Sequence, residues 1–161
     1  MTTIEYNSCV DEYADGVFRF ILKNIRDEEK ARDIVQDSFT KMWEKVSDIK
    51  SDKAKSYLFS TAYHTMIDLI RKEKKISTYE GGHEDLLTTG HGYNDLQEIL
   101  NEALEKLPGI QRSVILLRDY EGYSYKEIGE ITNLSESQVK VYIYRARMHL
   151  KEYIGSLENV I

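Results

Sequence analysis

Between residues 139 and 151 the chain carries Lys140, Arg145, Arg147 and Lys151 and no acid. Cations at that density can neutralise phosphates and displace their counterions. Just before them, Ser137 and Gln138 offer a hydroxyl and an amide, groups able to address base edges in a DNA groove. A second basic cluster, Lys53, Lys55, Arg71, Lys72, Lys74 and Lys75, spans residues 53 to 75 against only Asp68 and Glu73. On a helix, His64, Asp68, Arg71 and Lys75 fall on one face at steps of four, three and four, with Phe59 and Tyr63 beside them. Cations interleaved with aromatics can hold a phosphate backbone while unstacked bases rest on rings, as single-stranded DNA requires. The same cations also suit a helix C-terminus, where the macrodipole attracts them, so simple capping stays open for Arg71 to Lys75.

The net charge of -6 argues against nucleic acid only until its distribution is read. Glu80, Glu84, Asp85, Asp95, Glu98 and Glu102 lie between residues 76 and 103, a stretch without Lys or Arg, so the negative charge sits between two basic segments.

The elements that must carry these groups are helices. A single Pro, few Gly, abundant Glu, Lys, Leu and Ile, and no runs of alternating β-branched residues predict an all-α protein. Its 161 residues allow one domain or two small helical ones. Residues 76 to 94, with paired glycines and small polar residues, read as a flexible acidic linker between a domain over 1–75 and a second over 95–161.

In the first domain, Ala31, Ile34, Val35, Ser38, Phe39, Met42, Trp43 and Val46 form the core stripe of a helix opening near Asp27. Its other face, including Asp33, Gln36, Asp37 and Lys41, is either a solvated surface or a docking one. A further helix from about 53 to 73 turns Ala54, Tyr57, Leu58, Thr61, Ala62, Thr65, Met66, Leu69 and Ile70 inward.

The second domain is more specific. Leu107-Pro108 ends one helix and begins the next. Ser124 with Glu127, and Ser135 with Gln138, have capping-box spacing, so two helices start eleven residues apart. Asn133 can take the left-handed conformation that turns the chain between them, which is helix-turn-helix spacing. In the second of these helices Val139, Ile143, Ala146, Leu150 and Ile154 are the buried stripe. Ser137, Gln138, Lys140, Tyr142, Tyr144, Arg145, Arg147 and Lys151 remain outside. Ser137, Gln138 and Lys140 are the expected base readers and Arg145 and Arg147 the expected phosphate contacts. A plain αα-hairpin with a solvated basic face is the structural alternative.

LPGIQRSVILLRDYEGYSYKEIGEITNLSESQVKVYIYRARMHLKEYI resembles region 4 of sigma-70-type factors. ARDIVQDSFTKMW and SYLFSTAYHTMIDLIRKEKK resemble two segments of region 2. With no folded region 3 between them, the chain resembles the compact extracytoplasmic-function branch. The resemblance implies that Asp33, Gln36, Asp37 and Lys41 dock on the clamp helices of the largest subunit of core RNA polymerase, and that the flap of the second-largest subunit is also contacted. It implies minus 10 recognition and melting by the segment from about Lys50 to Lys75, with Phe59, Tyr63, His64, Arg71, Lys72, Lys74 and Lys75. Minus 35 recognition falls to the second domain, with Ser137, Gln138, Lys140, Tyr144, Arg145 and Arg147. The linker would thread the polymerase cleft, and an anti-sigma factor is a further implied partner. Tyr57 stands where the family usually has Trp, His64 where it often has Asn, and Thr132-Asn133 where the turn often has Gly.

No phosphate loop, zinc-protease motif or nucleophile signature occurs, so no enzyme, cofactor or metal is expected. His83 and His91 with Glu84 and Asp85 are irregularly spaced for a metal. The lone Cys9 has no basic neighbour and no expected role. The start of the chain lacks a signal-peptide pattern and no stretch would span a membrane, which predicts a cytoplasmic protein without membrane insertion. The nearest rival is an autonomous helix-turn-helix regulator whose first domain senses or dimerises. A structural adaptor would leave both basic faces unexplained.

Overall fold

The computed structural model describes residues 1–79 and 96–160, with side chains through 76 and from 96 to 156. Helix α1 (Thr3–Ile25) opens on a capping box. The Thr2 hydroxyl accepts from the Glu5 amide, and the Glu5 carboxylate accepts from the Thr2 amide. Arg26 closes it in the left-handed region (φ 57°), and Asp27 then caps α2 (Glu28–Glu44) by accepting from the Lys30 amide. Two short 3-10 turns, Val46–Asp48 and Ser51–Lys53, carry the chain into α3 (Ala54–Tyr79). Helix α3 runs past residue 76, where the linker was expected to begin. The rest of that segment, with His83 and His91, lies outside the described residues.

The second half comprises α4 (Leu96–Glu105), α5 (Gly109–Ile115), a π-helical turn (Leu116–Tyr120), α6 (Tyr125–Thr132) and α7 (Glu136–Val160). All regular elements among the described residues are helical, as expected. Helices α1 to α3 pack on one another around Val17, Phe20, Ile21, Ile34, Met42, Leu58 and Met66. Helices α5 to α7 pack around Val114, Leu117, Ile128, Ile131, Val139 and Ile143. Cys9 is buried against the first of these cores, and desolvation pushes its thiol up to about 11. Trp43, expected in the core, is 46% exposed. It lies near the end of α2 and stacks edge-on against Tyr6, ring centroids 5.0 Å apart.

The halves do not stand apart. α6 packs on the first part of α3, and α4, α5 and the π turn pack on α1. Phe59 of α3 is fully buried between Phe20 (5.9 Å) and Tyr123 (5.1 Å, edge to face). Gly16 of α1 leaves little room: a Cβ there would lie 3.2 Å from Glu121 Oε1 and 3.7 Å from the Phe59 ring. At the rim, Arg19 donates from Nε and Nη2 to the two Glu121 oxygens, both at 2.9 Å. Lys55 meets Glu127 at 2.7 Å and lies over the Tyr123 ring. Arg26 pairs with Glu105.

A polar cluster ties the end of α1 to the start of the second half. Buried Asn24 donates to Phe20 O and accepts from the Ser113 hydroxyl. Arg112 donates to the carbonyls of Asn24, Leu104, Glu105 and Leu107 at 2.9 to 3.2 Å. Those oxygens end α1 and α4, where intrahelical donors run out. Burial holds the Arg112 guanidinium below its usual range.

Candidate nucleic-acid interface

The α6–α7 unit is built by local rules. Both capping boxes form: Ser124 and Glu127 exchange bonds at 3.0 and 3.1 Å, Ser135 and Gln138 at 2.9 and 3.1 Å. Asn133 adopts φ 67° and ψ 37°, and its amide bonds Gly129 O. The turn is tight enough that a Cβ on Gly129 would lie 2.7 Å from Leu134 O, closer than real Cβ contacts come. The glycine that this motif needs is thus inside α6, and Thr132-Asn133 can occupy the turn.

Ahead of the unit, the π turn gives the chain wider hydrogen-bond spacing, with the Glu121 amide bonding Leu116 O at 3.0 Å. It sets Arg118 over the Tyr125 ring and aims Asp119 at α7.

Val139, Ile143 and Ala146 are buried on α7, as the spacing predicted, whereas Leu150 and Ile154, expected with them, are half-buried. Ser137, Gln138, Lys140, Tyr144, Arg145 and Arg147 are all exposed. Their positions are not equivalent. Arg147 is held by Asp119 at 2.6 and 3.3 Å, and that bond raises its pKa. Arg145 is near the Tyr142 ring and Lys140 near the Tyr125 ring. Val141, absent from the expected readers, is 45% exposed among Ser137, Gln138, Tyr142 and Arg145.

In the first half, Asp33, Gln36, Asp37 and Lys41 share the exposed side of α2. Lys41 bridges two elements, pairing with Asp37 at 3.2 Å and donating to the Thr65 hydroxyl of α3 at 3.0 Å. Between these helices runs a polar groove of about 290 Å³ lined by Lys41, Tyr57, Ser60, Thr61, His64, Thr65 and Asp68. His64 is exposed, its ring Nδ1 2.8 Å from Ser60 O. Arg71, Lys72, Lys74 and Lys75 line the exposed end of α3, with Arg71 at 3.9 Å from Asp68.

Two expected DNA contacts are elsewhere. Phe59 and Tyr63 are core residues, 0% and 7% exposed, and do not share the outward face of His64. α3 is buried over a wider arc than a lone amphipathic helix because α6 covers the Phe59 side. Tyr57 and Ile70, expected inward, are half-buried and exposed respectively.

These features define a helix-turn-helix protein with a second, three-helix unit packed on it. The description "Sigma-70 region 2" matches residues 9–76, and "Sigma-70, region 4" matches residues 97–150. SigV, an RNA polymerase sigma factor of Bacillus subtilis (strain 168), is 30% identical over 140 residues, covering 86% of this chain and 84% of the relative. SigM, an extracytoplasmic-function sigma factor of the same strain, is 28% identical, covering 86% and 88%. The chain belongs to the sigma-70 family, in its extracytoplasmic-function branch. The fold resembles the sigma factor RpoE of Bartonella quintana, solved in complex with the anti-sigma factor NepR, with a TM-score of 0.80 at 24% identity over 93% of this chain and 96% of that one. CnrH, solved with the cytosolic domain of CnrY, gives 0.71 at 22% identity over 94% and 88%.

Proposed function

We propose that the chain directs promoter-specific initiation as the sigma subunit of bacterial RNA polymerase. The observation that carries this reading is the pairing, in one chain, of a reading helix whose residues 137 to 151 hold no acid with a region 2 unit that exposes a polar face on α2 and a basic end on α3. A sensing or dimerising domain, as in an autonomous regulator, has no need of that basic end.

In this reading α7 takes the minus 35 element, with Ser137, Gln138, Lys140 and Tyr144 toward the bases and Arg145 toward phosphate. Arg147 joins them once it leaves Asp119. His64, Arg71, Lys72, Lys74 and Lys75 take the minus 10 strand as it melts, with the α2–α3 groove beside them. Asp33, Gln36, Asp37 and Lys41 dock on the clamp helices, and the second half meets the flap. No bond is made or broken by the protein: its family consists of initiation factors, and its work is binding energy used to hold DNA open. It acts in the cytoplasm, where the polymerase is; among the described residues no helix is long and apolar enough to cross a membrane. An anti-sigma factor is a natural partner, since both solved relatives were caught with another protein. The expected units are 1–75 and 95–161, joined by 76–94.

The two promoter elements lie about 25 base pairs apart, roughly 85 Å at 3.4 Å per pair. A chain of 161 residues folded as one body has a radius of gyration of about 15 Å. The interface between the halves must therefore open on the promoter.

Co-elution with core polymerase, followed by transcription from a pool of random promoter fragments, tests the proposal. Promoter-dependent transcripts from wild type, and loss of co-elution in a folded Asp37→Arg protein, are expected. Tight specific binding of the free protein to duplex DNA without co-elution would instead favour the autonomous regulator.

A further inference from the structure

Helix α7 buries Val139, Ile143 and Ala146, and at about 100° per residue the direction opposite that stripe is occupied by Val141. Ser137 and Arg145 are one turn to either side, so 137, 141 and 145 form a single outward ridge with an apolar residue at its centre. The ridge is not covered by the first half, because α7 packs on α4, α5 and α6. An exposed valine flanked by Lys140 and Arg145, in a stretch without a carboxylate from 137 to 151, suits a polyanion with an apolar spot. In a major groove that spot is the thymine C5-methyl group.

The neighbouring Gln138 is restricted by its structural duty. Its Oε1 accepts the Ser135 amide at 2.9 Å, which uses one of its two lone pairs and turns that oxygen back toward the start of the helix. The bidentate pairing of Gln with adenine needs the oxygen and the nitrogen of the amide aimed together at one base edge, and the cap holds the oxygen away from that pose. With the cap kept, Gln138 addresses a base through its Nε2 donors, and thymine O4 is an acceptor beside the methyl. Residues three apart on a helix have Cβ atoms about 5–6 Å apart, close enough to share one base or a base and its neighbour.

We propose that Val141 and Gln138 together make α7 select thymine in the minus 35 element, Val141 packing on the C5-methyl and Gln138 donating to O4. This rests on the reading of α7 as the promoter-reading helix and adds the base it selects.

The test uses holoenzyme reconstituted with core polymerase and a promoter pool randomised across the minus 35 element. Wild type is expected to enrich thymine at one position. Replacing that thymine with deoxyuridine removes only the methyl and should weaken promoter binding about fourfold, one carbon's worth of burial. In Val141→Ala the two bases should bind alike. Glu at 138 keeps the serine-x-x-glutamate cap but replaces the donor with an acceptor, so Glu-for-Gln (Gln138→Glu) should move the preference toward cytosine or adenine, whose exocyclic amines donate. Equal binding of thymine and deoxyuridine by wild type overturns the proposal. So does an unchanged preference in Val141→Ala, which would leave the ridge to a protein partner. Failure of the sigma reading is separately visible as absent co-elution, and selection of bare duplex by the free protein then decides whether thymine is still chosen.

Discussion

Replacing Glu121 with Gln should loosen the closed packing of the two halves without unfolding either. Its side chain is 5% exposed and accepts two charge-assisted bonds at 2.9 Å, whereas Arg19 is 49% exposed. Charge-assisted hydrogen bonds in buried settings contribute about 1.5–3 kcal/mol each, but exposed ion pairs only about 0.2–1. With one partner half in water, the pair contributes on the order of 1–2 kcal/mol to closure. Gln keeps one acceptor, so the loss for Glu121→Gln is about 1 kcal/mol, and Glu121→Ala loses nearer to 2. Since 1.4 kcal/mol is about tenfold, the closed-to-open ratio falls roughly five- to thirtyfold. Dyes attached at Lys53 and Lys126, which line one cleft between α6 and the start of α3, would report the ratio by energy transfer. If opening precedes strand capture, apparent promoter affinity of the holoenzyme should rise as the open fraction rises. A double-mutant cycle with Arg19→Ala isolates the pair, with an expected coupling of about 1 kcal/mol that shrinks in high salt. Zero coupling, with unchanged transfer in both Glu121 variants, would refute the claim that this pair holds the halves together.

Gly129→Ala should cost a net 1–2 kcal/mol, roughly: the gain in helix propensity of about 1 is outweighed by moving Leu134 O away from a Cβ that would be 2.7 Å from it. Thermal melting and duplex binding by α7 should fall together. Arg112→Lys keeps the charge but loses the fork that satisfies four carbonyls, and should cost about 2–4 kcal/mol, a drop in melting temperature of roughly 5–15 °C; a change under 2 °C would remove Arg112 as the clasp. Lys55, and after it the Ser124 amide, hold Glu127 below the usual carboxylate range. Because the folded pKa is depressed, that contribution is complete above the unfolded value of about 4.3 and disappears as pH falls through the folded one. Glu127→Gln retains the capping-box spacing, so the difference in urea midpoint between it and wild type should shrink from pH 6 toward pH 3, and a pH-independent difference would contradict the linkage.

What was legible in the sequence follows the range of the forces involved. Ser124 with Glu127, Ser135 with Gln138 and the left-handed Asn133 depend on atoms three or four residues away, and each forms as read. The stripe of α2 is right at Ala31, Ile34, Ser38 and Met42, and fails at Trp43, near the helix end, where it stacks on Tyr6 but stays half exposed. Spacing alone gives α3 one buried face, which leaves Phe59 and Tyr63 beside the outward one. The second face is made by Tyr123, sixty-odd residues on, which no local period encodes. Val141 is a different case. The stripe of Val139, Ile143 and Ala146, legible from spacing, already places Val141 opposite the core; an apolar type alone gives no reason to count it among groove-facing residues. Gly16 could have been noticed, since a glycine mid-helix costs about 1 kcal/mol and invites a reason, but that reason is Glu121 in the other half.

The surfaces that closure leaves free suggest an order of events for a sigma factor. Asp33, Gln36, Asp37 and Lys41 on α2 are exposed while the halves are together, and so is the outward ridge of α7. Closure covers one side of α1 and the start of α3, where Lys55 is taken by Glu127 and Phe59 by Tyr123. With α2 as the proposed docking face and α3 as the proposed strand-capturing helix, polymerase can engage α2 before the chain opens, whereas a melted strand can reach the start of α3 only afterwards. The Lys55–Glu127 contact also places a carboxylate on a cation that single-stranded DNA would claim, so strand capture and closure compete for the same charge. A chain arranged in this way would hold DNA poorly when alone and would gain its grip where polymerase binding favours the open form, because a ligand shifts such an equilibrium only by its preference for one state.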